Sequence, residues 1–302
     1  LHTRRLEGKE RKALQHSSNS KLAYRDEGSG PAILLVHGWG VSGALFQGQW
    51  EALSGQHRFL VPDLPGHGGS KPFPPDAPFG YLADSIAELI REISPGPVCL
   101  VGWSLGAMVC WDLLSRHADL PVSGLVTIDM VPKILNTPDW WFGLREGSGP
   151  EVFDRHVGLM RADWVAYTAL FVPRIFSQLN CAQHPGLIEK TRAAASGNHP
   201  DSMATIWQRL SEQDLRPQLA DIHVPCRVVA GTQSQLYSVA ACRWATAQIE
   251  GARLVVFSRS GHAPHLEEPE LFNGMLLAFA NGLDDQSHEQ GTARVQAGAH
   301  MT

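Results

Sequence analysis

Ser104 sits in Gly102-Trp103-Ser104-Leu105-Gly106, between the branched apolar run Val98 to Val101 and a helix-compatible run from Ala107 to Arg116. A strand that turns abruptly into a helix holds a serine at its apex in a strained backbone conformation. Glycines two places before and after it let strand and helix approach closely enough to turn. The hydroxyl is thereby lifted clear of the sheet. The Leu105 amide opens the helix, where an N–H without an intrahelical acceptor suits a developing oxyanion. The chemistry is nucleophilic attack by a serine, which needs an imidazole to take its proton and return it to the leaving group. His262, in Ser260-Gly261-His262 just past the apolar run Arg253 to Phe257, is the best placed of the histidines. A second oxyanion donor is expected in His37-Gly38-Trp39-Gly40, after the apolar run Ala32 to Val36, from the amide of Trp39.

These groups must be carried to one rim by the elements between them. Short branched runs at 32–36, 58–63, 98–101, 122–130, 224–231 and 253–257 read as strands, and amphipathic segments at 81–93, 107–116, 239–248 and 269–282 as helices. Their alternation implies a mostly parallel sheet covered by helices. From 135 to 213 no strand-like run occurs, and Trp140, Trp141, Phe142, Trp164, Tyr167, Phe171 and Trp207 recur in helix-compatible stretches. This region reads as a helical cap over the catalytic edge, with most aromatics packing the cap and Trp103, Trp140 and Trp164 expected to line the substrate pocket. The core is expected at 19–134 and 214–283, with polar tails at 1–18 and 284–302 expected to be disordered.

Bulk properties narrow the function further. A formal charge of −5 and the absence of a basic stripe argue against nucleic acid. No run approaches the roughly 18 apolar residues that span a bilayer, and no apolar segment follows the basic residues Arg4 to Lys12. A cytoplasmic protein without membrane contact is expected. The five cysteines are scattered without a C-x-x-C pair, which suggests neither disulfides nor zinc. His262 and His265 have H-x-x-H spacing, but no third ligand accompanies them, so no metal and no cofactor is expected. Oligomeric state is open.

Together with Asp63-Leu64-Pro65-Gly66-His67-Gly68-Gly69-Ser70, in which His67 reads as structural, these motifs resemble the α/β-hydrolase superfamily over most of residues 20–283. The resemblance implies that fold, with Ser104 as nucleophile, His262 as base, and Trp39 and Leu105 as oxyanion hole. It also implies an acid after the penultimate strand, in Gly231-Thr232-Gln233-Ser234-Gln235-Leu236-Tyr237-Ser238, yet no carboxylate occurs between Asp221 and Glu250. Some members of the superfamily, including haloalkane dehalogenases and cofactor-independent dioxygenases, place the acid after the preceding strand, which here is Asp129. The expected activity is that of a carboxylesterase-like serine hydrolase acting on a small ester with an apolar acyl or aromatic group. Two other readings stand beside it. One is a cofactor-independent dioxygenase using a His-Asp pair, suggested also by Phe79-Gly80-Tyr81; the other is a non-catalytic ligand-binding protein on a hydrolase scaffold.

Overall fold

Runs such as Ala-Ile-Leu-Leu-Val at 32–36 have no polar face, so they are stable only with both sides of the strand covered. The computed structural model, which describes residues 13–93, 96–145 and 150–283, buries them in the centre of one sheet. Its strands are β1 (Gln15–His16), β2 (Ala23–Gly28), β3 (Ala32–Val36), β4 (Arg58–Pro62), β5 (Val98–Trp103), β6 (Val122–Ile128), β7 (Cys226–Gly231) and β8 (Arg253–Phe257). They are ordered β1-β2-β4-β3-β5-β6-β7-β8. β2 is antiparallel to β1 and β4, and the strands from β4 through β3 to β8 are parallel. The α/β architecture read from the sequence is the one observed.

Alternate residues of each strand feed two separate cores. Leu34, Val36, Leu100 and Val228 face one cluster, and Ile33, Leu35, Val101 and Val229 the other. The helices before the cap are α1 (Gln47–Leu53), α2 (Gly80–Ile93) and α3 (Leu105–Arg116). The segment between β6 and β7, where the cap is expected and which is called the cap below, carries α4 (Pro150–Ala162), α5 (Trp164–Ile175), α6 (Gln178–Gln183), α7 (Pro185–Ser196) and α8 (Pro200–Ser211). After it come α9 (Val239–Gln248), the single turn α10 (Pro264–Glu267) and α11, 269–283. Leu82, Ile86 and Leu89 of α2 recur at helical spacing and join α3 and α9 on the first face. Trp50 of α1 and Phe272, Leu276 and Phe279 of α11 cover the second.

The chain is ordered earlier than its polar composition implies. β1 pairs with β2, and Glu92 at the end of α2 accepts hydrogen bonds from Ser17 Oγ (2.6 Å), from Ser18 N and Oγ (3.0 and 2.9 Å) and from Asn19 N (3.2 Å). The Ser17 hydroxyl and the Ser18 amide lead in pulling that carboxyl down to about 2. The anchor lies far away in sequence, so residues 13–18 are not the loose tail that local composition suggests. The remaining expected tail residues, 1–12 and 284–302, lie outside the described residues.

The turn from β5 into α3 is the tightest point of the packing. A Cβ on Gly106 would stand 2.1 Å from the Val36 carbonyl oxygen, and one on Gly102 2.4 Å from that of Gly106. Both obstacles are backbone atoms, so neither can swing aside. Gly106→Ala is therefore expected to cost about 3 kcal/mol or more, or to prevent folding. Gly48→Ala in α1, where a Cβ meets nothing within 4 Å, should be neutral or stabilise by up to about 1 kcal/mol. Urea denaturation midpoints of the two variants against wild type check the contrast.

Candidate active site

The C-terminal ends of the parallel strands bring the expected residues to one rim. Ser104 follows β5 with φ 54° and ψ −118°, a conformation L-residues rarely adopt, and precedes the first residue of α3. Asp129 follows β6, also at positive φ (45°). Two strained residues at neighbouring strand ends, each costing about 1–3 kcal/mol, persist only where the surroundings dictate them.

The Asp129 surroundings do so. His262 Nδ1 lies 2.7 Å from Asp129 Oδ2, with both side chains buried. The same oxygen accepts from Ser234 Oγ at 2.6 Å, and Oδ1 accepts from the Gly231 amide at 3.1 Å. Ser234 Oγ itself accepts from the amides of Leu236 (3.3 Å) and Tyr237 (3.2 Å), so its own proton is directed at the carboxylate. Ser234 lies in the segment where the superfamily usually keeps its acid. Here the hydroxyl supports a carboxylate delivered from the end of the preceding strand, β6. The sequence alone does not reveal that role, since a serine in a turn carries no signal of its distant partner.

His262 is held from three sides. Its amide donates to Ile175 O (2.8 Å) at the end of α5, and its carbonyl accepts from Trp103 Nε1 (2.9 Å). Glu267 of α10 gathers the amides of Gly261 (2.8 Å) and Ala263 (3.3 Å) on one oxygen, and the Ser177 amide and Asn180 Nδ2 of the cap on the other. With Nδ1 engaged by Asp129, Nε2 is the ring nitrogen left for the cavity that His262 lines with Ser104. Ser104 Oγ points to Met130 Sδ at 4.0 Å and makes no hydrogen bond to His262 in this rotamer. His265, the other member of the H-x-x-H pair, packs between Phe46 and Trp103. Burial first, then the charge of His262, pushes its imidazole down to about 3.

The loop after β3 is sewn to the loop after β4. His37 Nε2 accepts from the Leu64 amide (2.9 Å), so Nδ1 carries the proton donated to Gly38 O (2.7 Å). His67 Nε2 accepts from the Gly40 amide (3.1 Å), and its Nδ1–H donates to Pro65 O (3.1 Å). Asp63 accepts from Gly43 N and Gly69 N, each at 2.9 Å. The Trp39 amide thus sits in a segment fixed on both sides. Burial is the main cause that lowers both imidazoles, opposed at His37 by the charge of Asp63 and reinforced at His67 by His37.

Cap and core enclose a cavity of about 110 Å³. Gly38, Trp39, Trp103, Ser104 and His262 line it from the core, and Phe153, His156, Tyr167, Phe171, Arg174 and Trp207 from the cap. Trp39 contacts Phe171 at 5.2 Å and Trp207 at 4.9 Å between ring centroids. Of the three tryptophans expected in the pocket, only Trp103 lines it. Trp140 instead packs on Trp244 (4.7 Å) and donates from Nε1 to Lys133 O. Trp164 stands behind the wall, its ring 5.4 Å from Trp39 and its Nε1 bonded to Ala195 O. Helical spacing cannot tell a cavity-facing indole from one facing a neighbouring element.

Residues 33–274 match the alpha/beta hydrolase family. The chain belongs to that family. Among similar proteins is the pimeloyl-[acyl-carrier protein] methyl ester esterase of Vibrio vulnificus, 28% identical over 263 residues, covering 87% of this chain and 99% of that one. The corresponding protein of Nitrosomonas europaea is 29% identical, covering 81% and 94%. Among solved structures, an esterase from Exiguobacterium antarcticum superposes with a TM-score of 0.81 at 23% identity, covering 89% of this hydrolase and 98% of the esterase. An enol-lactonase from Burkholderia xenovorans LB400 gives 0.76 at 24%, covering 86% and 96%. No helix among the described residues of the hydrolase is long and apolar enough to cross a membrane.

Two expectations arise from these contacts. Ser234→Ala removes one donor from the buried Asp129 carboxylate and should destabilise the protein by about 1–3 kcal/mol in chemical denaturation at pH 7.5. His37, His67 and His265 are neutral in the fold with lowered pKa, whereas in the unfolded chain they protonate near pH 6.5. Their contribution is fully present above that pH and is lost as pH falls below it, by at most about 1.4 kcal/mol per pH unit for each ring, until the folded-state values are reached. Denaturation midpoints at pH 7.5, 6.0 and 5.0 should fall in that order, and less steeply in His67→Gln.

Proposed function

We propose that this ester hydrolase works through an acyl-enzyme on Ser104, with His262 as general base and acid, Asp129 as the group that orients and balances it, and the amides of Trp39 and Leu105 as the oxyanion hole. The observation that carries the reading is the 2.7 Å contact of His262 Nδ1 with Asp129, at the rim where Ser104 stands in its strained turn. With Nδ1–H committed to the carboxylate, Nε2 has the lone pair that can take a proton. Reaction requires the Ser104 hydroxyl to turn from Met130 towards Nε2, a rotamer change of the kind that accompanies substrate binding. Its oxygen then attacks the ester carbonyl as the proton passes to Nε2. The tetrahedral oxyanion is held by the two amides, and its collapse releases the alcohol with that proton. Water, deprotonated by the same nitrogen, attacks the acyl carbon, and as the bond to Ser104 breaks the proton on Nε2 returns to its oxygen and the acid is freed.

The walls favour an apolar acyl or aromatic group, since Trp39, Phe153, Phe171 and Trp207 are among the residues that line the cavity. From the curated relatives we carry over the class of bond, a carboxylic ester of an acyl chain, as the first to assay. A second reading, deprotonation of an organic substrate by the His262–Asp129 pair followed by reaction with oxygen, draws on the acid's position after β6 and on the Ser104 hydroxyl facing away from the base. The non-catalytic reading arose from the missing acid, and a carboxylate beside the imidazole removes its motive.

A fluorophosphonate probe should label Ser104, and Ser104→Ala should abolish both labelling and hydrolysis of 4-nitrophenyl esters. Asp129→Asn should lower kcat by about 10⁴ through loss of the imidazole orientation. Oxygen consumption by a protein that takes no label would instead establish the second reading.

A further inference from the structure

Two tyrosines line the cavity, and they differ in one respect. The Tyr167 hydroxyl is paired with His156 Nδ1 at 2.7 Å. Tyr237 is 3% exposed, yet among the described residues its hydroxyl makes no hydrogen bond. A phenol buried without a partner loses its hydration with nothing gained in return, and buried tyrosine hydroxyls ordinarily find an acceptor. Among the rings of this wall, a phenylalanine would fill the same space without that cost. A donor left open on the wall of a substrate cavity points to an acceptor that arrives with the substrate.

The position of Tyr237 selects the acceptor. Its amide donates to Ser234 Oγ (3.2 Å), the hydroxyl that in turn donates to Asp129. Its ring lies 5.7 Å from the His262 ring between centroids. Tyr237 is thus fixed by the same turn that supports the acid, and it stands beside the base. Burial first, then the charge of Asp129, raises the phenol, so it stays protonated at neutral pH and keeps a proton to donate. In the proposed reaction the ester carbonyl oxygen turns to the amides of Trp39 and Leu105, and the leaving oxygen has to lie at His262 Nε2, from which it takes its proton. A donor beside the imidazole therefore meets the alcohol side of the ester and not the carbonyl side.

Resting on Ser104 as the nucleophile and His262 as its base, we propose that Tyr237 is a further catalytic residue, whose hydroxyl donates a hydrogen bond to the leaving oxygen of the ester. As the tetrahedral intermediate collapses, the bond from the acyl carbon to that oxygen breaks, its electron pair stays on the oxygen, and the proton on His262 Nε2 passes to it. The phenol keeps its own proton and stabilises the charge that builds on the oxygen before the transfer is complete. The gain is large for the alkoxide of an aliphatic alcohol and small for nitrophenolate, whose charge spreads into its ring. Tyr237 thereby fits the enzyme to unactivated alkyl esters.

The test compares Tyr237→Phe with wild type on the methyl and 4-nitrophenyl esters of one acid, hexanoic acid, followed by acid release at constant pH. The acyl part is common to both, so any disturbance of its pocket cancels in the ratio of the two kcat/KM values. Tyr237→Phe should lower that ratio, methyl over 4-nitrophenyl, by at least about tenfold, as expected for a lost hydrogen bond to a charged oxygen. For the methyl ester the loss should fall chiefly on kcat. The urea midpoint of the variant should equal or exceed that of wild type, since the hydroxyl has no partner in the free protein. An unchanged ratio, or a midpoint below wild type, would overturn the inference and leave the hydrolase reading standing. Absence of methyl ester cleavage by wild type overturns it as well, and fluorophosphonate labelling of Ser104 then decides the hydrolase reading separately.

Discussion

A buried carboxylate facing a buried imidazole is the constraint around which this hydrolase is arranged. Desolvating either group alone is expensive, and the cost is offset only where hydrogen bonds reach the remaining lone pairs. Asp129 meets that condition with donors from three places: the Gly231 amide at the end of β7, the Ser234 hydroxyl in the turn beyond it, and the His262 ring after β8. Three successive strand ends are thereby fixed to one another. The positive φ at Asp129 is the local strain that this convergence sustains.

A comparable economy holds the other half of the rim. The loop carrying Trp39 has no regular structure, yet a backbone donor is useful to an oxyanion only if it does not have to reorganise. Two neutral imidazoles and the Asp63 carboxylate supply the stiffness by bonding amides of adjoining loops. The histidines serve as acceptors there, so the sequence around His67, which has no part in proton transfer, is explained by geometry.

Much of this was legible in the chain itself. Branched runs without a polar face identified the strands, and Gly102 and Gly106 around Ser104 marked the turn whose backbones nearly touch. Asp129 came from the superfamily resemblance, which places the acid after the preceding strand in some members, once the stretch from 222 to 249 had no carboxylate to offer. What escaped were relations between distant segments. Ser234 looks like any serine in a turn until its partner after β6 is seen. Of Trp140, Trp164 and Trp207 only Trp207 meets the cavity, because Trp140 packs on Trp244 and Trp164 stands behind Trp39. The order at Ser17 and Ser18 likewise depends on a glutamate in another element.

Glu267 adds a second tie between two parts of the molecule already joined by the His262 amide and the Ile175 carbonyl. One of its oxygens serves the segment bearing His262, and the other serves the corner between α5 and α6. That corner and the loop carrying the imidazole are therefore held to one another through a single carboxylate, so the position of the ring beside Asp129 depends on how the helices above it are seated.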